Sequence, residues 1–237
     1  MYYGDRMRKE NLKQSILGLC VVISYFIYSY FQTVPLSLLG INYYNLNMFD
    51  KIVYLMVTEL IYLLILFFIY RKEYIRDFKD YVKNFKNYMP KYMEYWALAF
   101  SLMLISNFVI ITLFPNSVAT NQEAINNILV EAPFYMIVSA VIFAPFLEET
   151  IFRFSFRKIF KNDIVFIIAS GLVFGGLHVI GSFNNLIDLI YIIPYSIPGA
   201  VFAYTLVKSK NIFIPMSLHF FHNGIMMFIE SVLLFFL

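Results

Sequence analysis

The chain has 237 residues, of which 61% are apolar or aromatic and 14% charged, with a mean hydropathy of +0.72; a soluble domain carries about 45–50% apolar and about 25% charged residues. This composition excludes a soluble enzyme, and the formal charge of +3 reports orientation in a bilayer rather than an acidic ligand, so nucleic acid is set aside as a partner. The single cysteine, Cys20, excludes an internal disulfide, a CxxC metal site and a redox pair, and is read as a small packing residue in an apolar run.

A bilayer span needs about 20 mainly apolar residues. Seven stretches qualify, at about 15–31, 52–70, 95–114, 134–156, 164–182, 186–207 and 212–232, separated by charged or Gly/Asn/Pro-containing breaks. They are continuous rather than alternating, so each is expected to be a helix and the fold all-α, a polytopic membrane helix bundle forming one integral domain over residues 1–237. The basic run Arg6, Arg8, Lys9 and Lys13 before the first span has the charge order of a signal peptide, but no small-residue cleavage pattern follows Tyr30-Phe31-Gln32, and the span is expected to be retained.

Seventeen of the eighteen Lys and Arg residues fall on one side of this arrangement, with Lys51 alone on the other. The protein is therefore expected in the cell membrane as a multi-pass chain with its N-terminus cytoplasmic and its C-terminus external. The 71–94 connection mixes seven basic and four acidic residues with Tyr74, Ile75, Phe78, Tyr81, Val82, Phe85 and Tyr88. That spacing of three and four suits an amphipathic helix lying on the inner leaflet, in contact with anionic lipid. The 115–133 connection has no Lys or Arg and is expected outside.

An ionisable side chain in mid-membrane costs about 2.5–3.5 kcal/mol even on mild insertion scales, so each is a candidate functional residue. Asp188 and Glu230 lie near an expected external interface and can snorkel. Glu59 is deeper and is expected to pair across helices with a Tyr or a His. A denser set remains. In Ala144-Pro145-Phe146-Leu147-Glu148-Glu149-Thr150-Ile151-Phe152-Arg153, Glu149 and Arg153 share a helix face in the favoured acid-before-base order. Glu148 is turned by about a hundred degrees from that pair and is free to take a proton from water and return it to a leaving amine. His178 follows Gly171, Gly175 and Gly176, which let a neighbouring helix approach closely. His219 and Asn223 are four apart on the last span, with His222 offset from them. All three histidines, a Glu pair and an Asn in three successive segments form a candidate catalytic or metal-binding site. HExxH, a pair of intramembrane Asp and Gly-x-Ser-x-Gly are all missing from the sequence, which removes the zinc-helix, aspartyl-dyad and serine-elbow patterns. What is left is a Glu/His/His/Asn site.

These residues resemble the CPBP family of intramembrane proteases, also known as the CAAX-processing and bacteriocin-self-immunity (Abi) family. Its motifs are met in order as EExxxR at Glu148–Arg153, FxxxH at Phe174–His178 and HxxxN at His219–Asn223, with a similar connection from Ile197-Pro198-Gly199-Ala200 through Lys210-Asn211-Ile212 to Pro215. The resemblance covers about residues 134–225. It implies endoproteolysis of a membrane-associated peptide or protein, with Glu148 and His178 activating water, His219 and Asn223 holding the oxyanion or a metal, and Glu149 and Arg153 bracing the site. Glu148, His178 and His219 could bind Zn with water as fourth ligand; the metal-free form, in which His219 and Asn223 donate to the oxyanion, is favoured. A non-catalytic immunity or scaffold protein that works by binding a partner is the alternative. A transporter is disfavoured because no internal repeat or pair of broken helices is found. Counted from the nearest cytoplasmic end at about 1.5 Å per residue, His219 is shallower than His178, with Glu148 between them. Straight helices would misalign the site, and bends at Pro145, the Gly171/Gly175/Gly176 series, Pro194 and Pro198 are expected to correct it.

Overall fold

The computed structural model describes residues 2–115, 117, 119–180 and 184–236. Among these there is no strand. The main helices are α1 (Tyr2–Phe31), α2 (Met48–Ile69), α3 (Arg71–Leu113), α4 (Thr120–Glu131), α5 (Pro133–Ile159), α6 (Asp163–Ile180), α7 (Ile192–Ser209, entered through a 3₁₀ turn at Leu186–Tyr191) and α8 (Phe213–Phe236). Seven of these segments, all but α4, are long and apolar enough to cross a membrane. The polarity is that of a protein dissolved in lipid: Leu, Ile and Phe side chains such as Ile27, Phe68, Ile105, Ile168 and Phe228 face outward, while Glu149, Thr150, Arg153, Ser155, Ser170 and Thr205 are buried. The chain is an all-α polytopic bundle.

Two expectations change. The 71–94 segment does not lie apart on the leaflet, because it runs unbroken through Pro90 into the third span as one 43-residue helix. Its apolar face docks on the bundle instead: Tyr74 and Asp77 are buried, the Asn211 amide donates to the Asp77 carbonyl at 2.7 Å and to the Asp80 carboxylate at 2.8 Å, and the Ile212 N–H donates to the Asp77 carboxylate. The clasp fixes the turn between α7 and α8, where Lys210 takes a left-handed conformation (φ 56°) to end α7. The 115–133 connection contains α4, whose Leu129 is fully buried. Cys20 lies on the outward, exposed face of α1 rather than in a packing position. Gly181 and Ser182, at the expected end of the fifth span, lie outside the described residues.

Two π-helical turns interrupt α5, at Ser139–Phe143 and Thr150–Ser155. A π turn widens the backbone and shifts its hydrogen-bond ladder, freeing carbonyls for other donors. Here side chains of neighbouring helices take them up. Ser170 of α6 donates to the Phe152 carbonyl at 2.5 Å, and Asn223 of α8 donates to the Ala140 carbonyl at 2.7 Å. The hydroxyls of Tyr74 and Tyr70 meet Thr150 and Ser155. The helix carrying the Glu pair is thus held on several sides.

Helices α6 and α7 touch backbone to backbone at Gly175, where a Cβ would come within 2.6 Å of the Ile192 carbonyl oxygen. That atom cannot move aside as a flexible side chain would. Gly175→Ala is expected to force the two helices apart at a cost of about 1–3 kcal/mol, seen as a lower midpoint of thermal unfolding in detergent. An unchanged midpoint would show that the helices can separate freely there.

Candidate functional site

The centre of the site is a buried chain of charge. Glu149 and Arg153, one turn apart on α5, are both fully buried, with Arg153 Nε 3.2 Å from Glu149 Oε2. The guanidinium lies 4.3 Å from the ring centroid of Phe174 and 5.7 Å from that of Phe202, a flat contact that offsets part of the cost of burying it. The other Glu149 oxygen accepts from His219 Nδ1 at 2.8 Å. A carboxylate can only accept, so Nδ1 carries a proton and Nε2 is the working nitrogen of His219. The imidazole is further fixed by stacking on Phe202, with centroids 5.2 Å apart and planes at 29°.

His219 Nε2 faces Glu148, whose Oε2 is 3.8 Å away. Glu148 is one-fifth exposed, and this buried oxygen has no hydrogen-bond partner. The expected separation of the two glutamates is therefore present: Glu149 is tied to Arg153 and His219, while Glu148 keeps a free lone pair beside the imidazole. The gap is too long for a direct hydrogen bond; an oxygen atom in reach of both groups lies to one side of the line that joins them.

His178 is not drawn to Glu148. Its Nδ1 donates to the Phe174 carbonyl at 2.8 Å, which leaves Nε2 as its acceptor, and its ring stacks on Tyr195 at 5.0 Å. Phe174 lies against both imidazoles, 4.5 Å from His178 and 5.6 Å from His219. Among the described residues no ion pair joins His178 to either glutamate. Glu148, Glu149 and His219 meet, while His178 is held by Phe174 and Tyr195. Asn223 spends one N–H on Ala140 and retains the other.

A cavity of about 360 Å³ brings the dispersed groups together, since His178, His219, His222 and Asn223 all line it beside Phe174, Tyr195 and Phe202. His222 is buried, with an Nδ1 that has no partner. Tyr195 and Phe202, which carry the two imidazole rings, were not anticipated; their spacing of seven on one helix face was the available signal. Among the described residues no group of three His, Cys, Asp or Glu side chains is placed to share one ion. The Glu148, His178 and His219 ligand set for Zn is not gathered among the described residues; the His178 ring is oriented by Phe174 and Tyr195.

The isolated acids have partners or new surroundings. Glu59 accepts from Ser139 at 3.1 Å, at the start of the first π turn, and also bonds Tyr135, a cross-helix pairing with a hydroxyl as expected. Asp188 does not snorkel: it is buried and accepts from the backbone of Asn184 and Asn185. Glu230 is half-buried and lines the cavity.

Comparison with known proteins finds a family match over these residues. Residues 130–225 match the type II CAAX prenyl endopeptidase Rce1-like family, an interval that takes in Glu148, Glu149, Arg153, Phe174, His178, His219 and Asn223. The protein named "Putative membrane peptidase YdiL" of Bacillus subtilis (strain 168) is 29% identical over 106 residues, which is 44% of this chain and 40% of that protein. The chain thus aligns with about two-fifths of the length of this curated relative. No solved structure matches.

Proposed function

We propose, from the match of residues 130–225 to the Rce1-like family, that the chain is an intramembrane endopeptidase that hydrolyses a membrane-associated peptide or protein. The observation that carries this reading is the partnerless Glu148 oxygen 3.8 Å from His219 Nε2. In the proposed reaction a water molecule lies in reach of both. Glu148 takes a proton from it as its oxygen attacks the scissile carbonyl carbon. The carbonyl oxygen becomes an oxyanion and accepts from the free N–H of Asn223, such a donor being worth about 3–4 kcal/mol of barrier in acyl transfer. When the C–N bond breaks, the proton held by Glu148 passes to the leaving nitrogen. Glu149 orients His219, Arg153 balances Glu149, and His178 acts on substrate from the far side of Phe174. Every step is assigned to side chains, the metal-free form of the reaction.

The test is incubation of the purified protein in nanodiscs with the membrane-peptide fraction of producing cells, in ¹⁸O-labelled water. Hydrolysis puts one labelled oxygen into each new C-terminus. We expect labelled termini to appear at the same rate with and without a strong chelator after metal removal. Loss of labelling on chelation, restored by Zn alone, would overturn the metal-free form; no labelled terminus under either condition would overturn the protease reading. The proposed orientation has the N-terminus cytoplasmic, supported by the distribution of Lys and Arg.

A further inference from the structure

The cavity has a charged end that the proposed reaction does not use. His219, Asn223, Met226 and Glu230 follow one another along α8 at spacings of three and four, and all of them line it. Glu230 follows His219 by eleven positions, which is about 16 Å along a helix. Apart from the three histidines and Tyr195 it is the single ionisable residue among those lining the cavity. None of the lining residues is Lys or Arg, and among the described residues no ion pair reaches Glu230. Around it the wall is neutral and polar, with the amides of Asn107, Asn121 and Gln122. A half-buried carboxylate left uncompensated in such a wall is costly unless a cation arrives.

We propose that Glu230 is a substrate-recognition residue that receives a cationic group, a Lys or Arg side chain or a free α-ammonium, of the peptide occupying this cavity. This rests on the protease reading for what happens next, but not for the binding itself. An extended peptide advances about 3.3 Å per residue, so the cation falls about five residues from the bond held at His219. The specificity that results is for an apolar membrane peptide with a basic residue or its amino terminus at that distance, and against one with an acid there.

The test measures binding with defined probes. Fluorescent 15-residue Leu/Ala peptides carry one Lys, Gln or Glu, moved along the sequence, and are titrated by anisotropy onto the protein in zwitterionic nanodiscs, with empty nanodiscs as background. The intact protein is expected to bind the Lys peptide about tenfold more tightly than the Gln peptide. Glu230→Gln should remove the difference, and Glu230→Lys should turn the preference toward the Glu peptide. Glu148→Gln, which keeps the cavity but loses the proposed base, should discriminate as the intact protein does. Equal binding of Lys and Gln peptides, discrimination that survives Glu230→Gln, or binding of none of the peptides would each overturn the proposal. Discrimination without any cleavage by the intact protein would retain the cation site and remove the protease reading.

Discussion

Replacing Glu148 by Gln is expected to slow peptide-bond hydrolysis by about 10²–10⁴-fold, the usual worth of a positioned general base, while leaving the fold intact. The amide has the same shape as the carboxylate but cannot take a proton from water. It also removes none of the contacts that hold the bundle together, because Glu148 is partly exposed and its Oε2 has no hydrogen-bond partner. Rate and thermal midpoint measured on the same preparation separate the two effects. An inactive variant with an unchanged midpoint supports the assigned role, whereas a loss of activity that only tracks a loss of stability makes Glu148 a structural residue.

Arg153→Ala is expected to do the opposite, destabilising first and inactivating as a consequence. Arg153 and Glu149 are both fully buried, and removing one member of such a pair costs about 3–5 kcal/mol because the other is left as an uncompensated charge. His219 alone would remain to Glu149, and the flat contact with Phe174 and Phe202 would be lost. Combining Arg153→Met with Glu149→Gln should cost less than the sum of the two single changes, since the charge and its counter-charge leave together. Thermal unfolding of the four proteins in detergent checks this. Strict additivity would mean that the pair does not act as a unit.

The sequence announced the spans because in lipid every backbone group must be satisfied within the helix, so span length and apolarity carry the fold almost alone. The Glu149–Arg153 pairing was legible for a similarly local reason, the four-residue spacing on one helix face. What escaped were features decided between helices. The 71–94 segment looked separable because its polarity changes at about residue 94, yet its backbone has no reason to break there: Pro90 is accommodated, and Asn211 holds the segment against the bundle. The π turns have no local signature, since they depend on donors such as Ser170 and Asn223 arriving from other helices. The joint role of Glu148 and His178 was implied by the family resemblance, whereas the contacts of His219 with the glutamates and of His178 with Tyr195 are decided between helices.

The proposed role of Glu148 in proteolysis is tested by comparative peptidomics of membranes and culture fluid from cells producing either the intact protein or Glu148→Gln at matched abundance. The account predicts a peptide or new terminus that is present with the intact protein and missing with the variant. Identical profiles from the two, with any cellular effect of the protein persisting in the variant, would contradict it and point instead to a membrane scaffold or immunity protein acting by binding, in which the polar cluster serves to hold helices together.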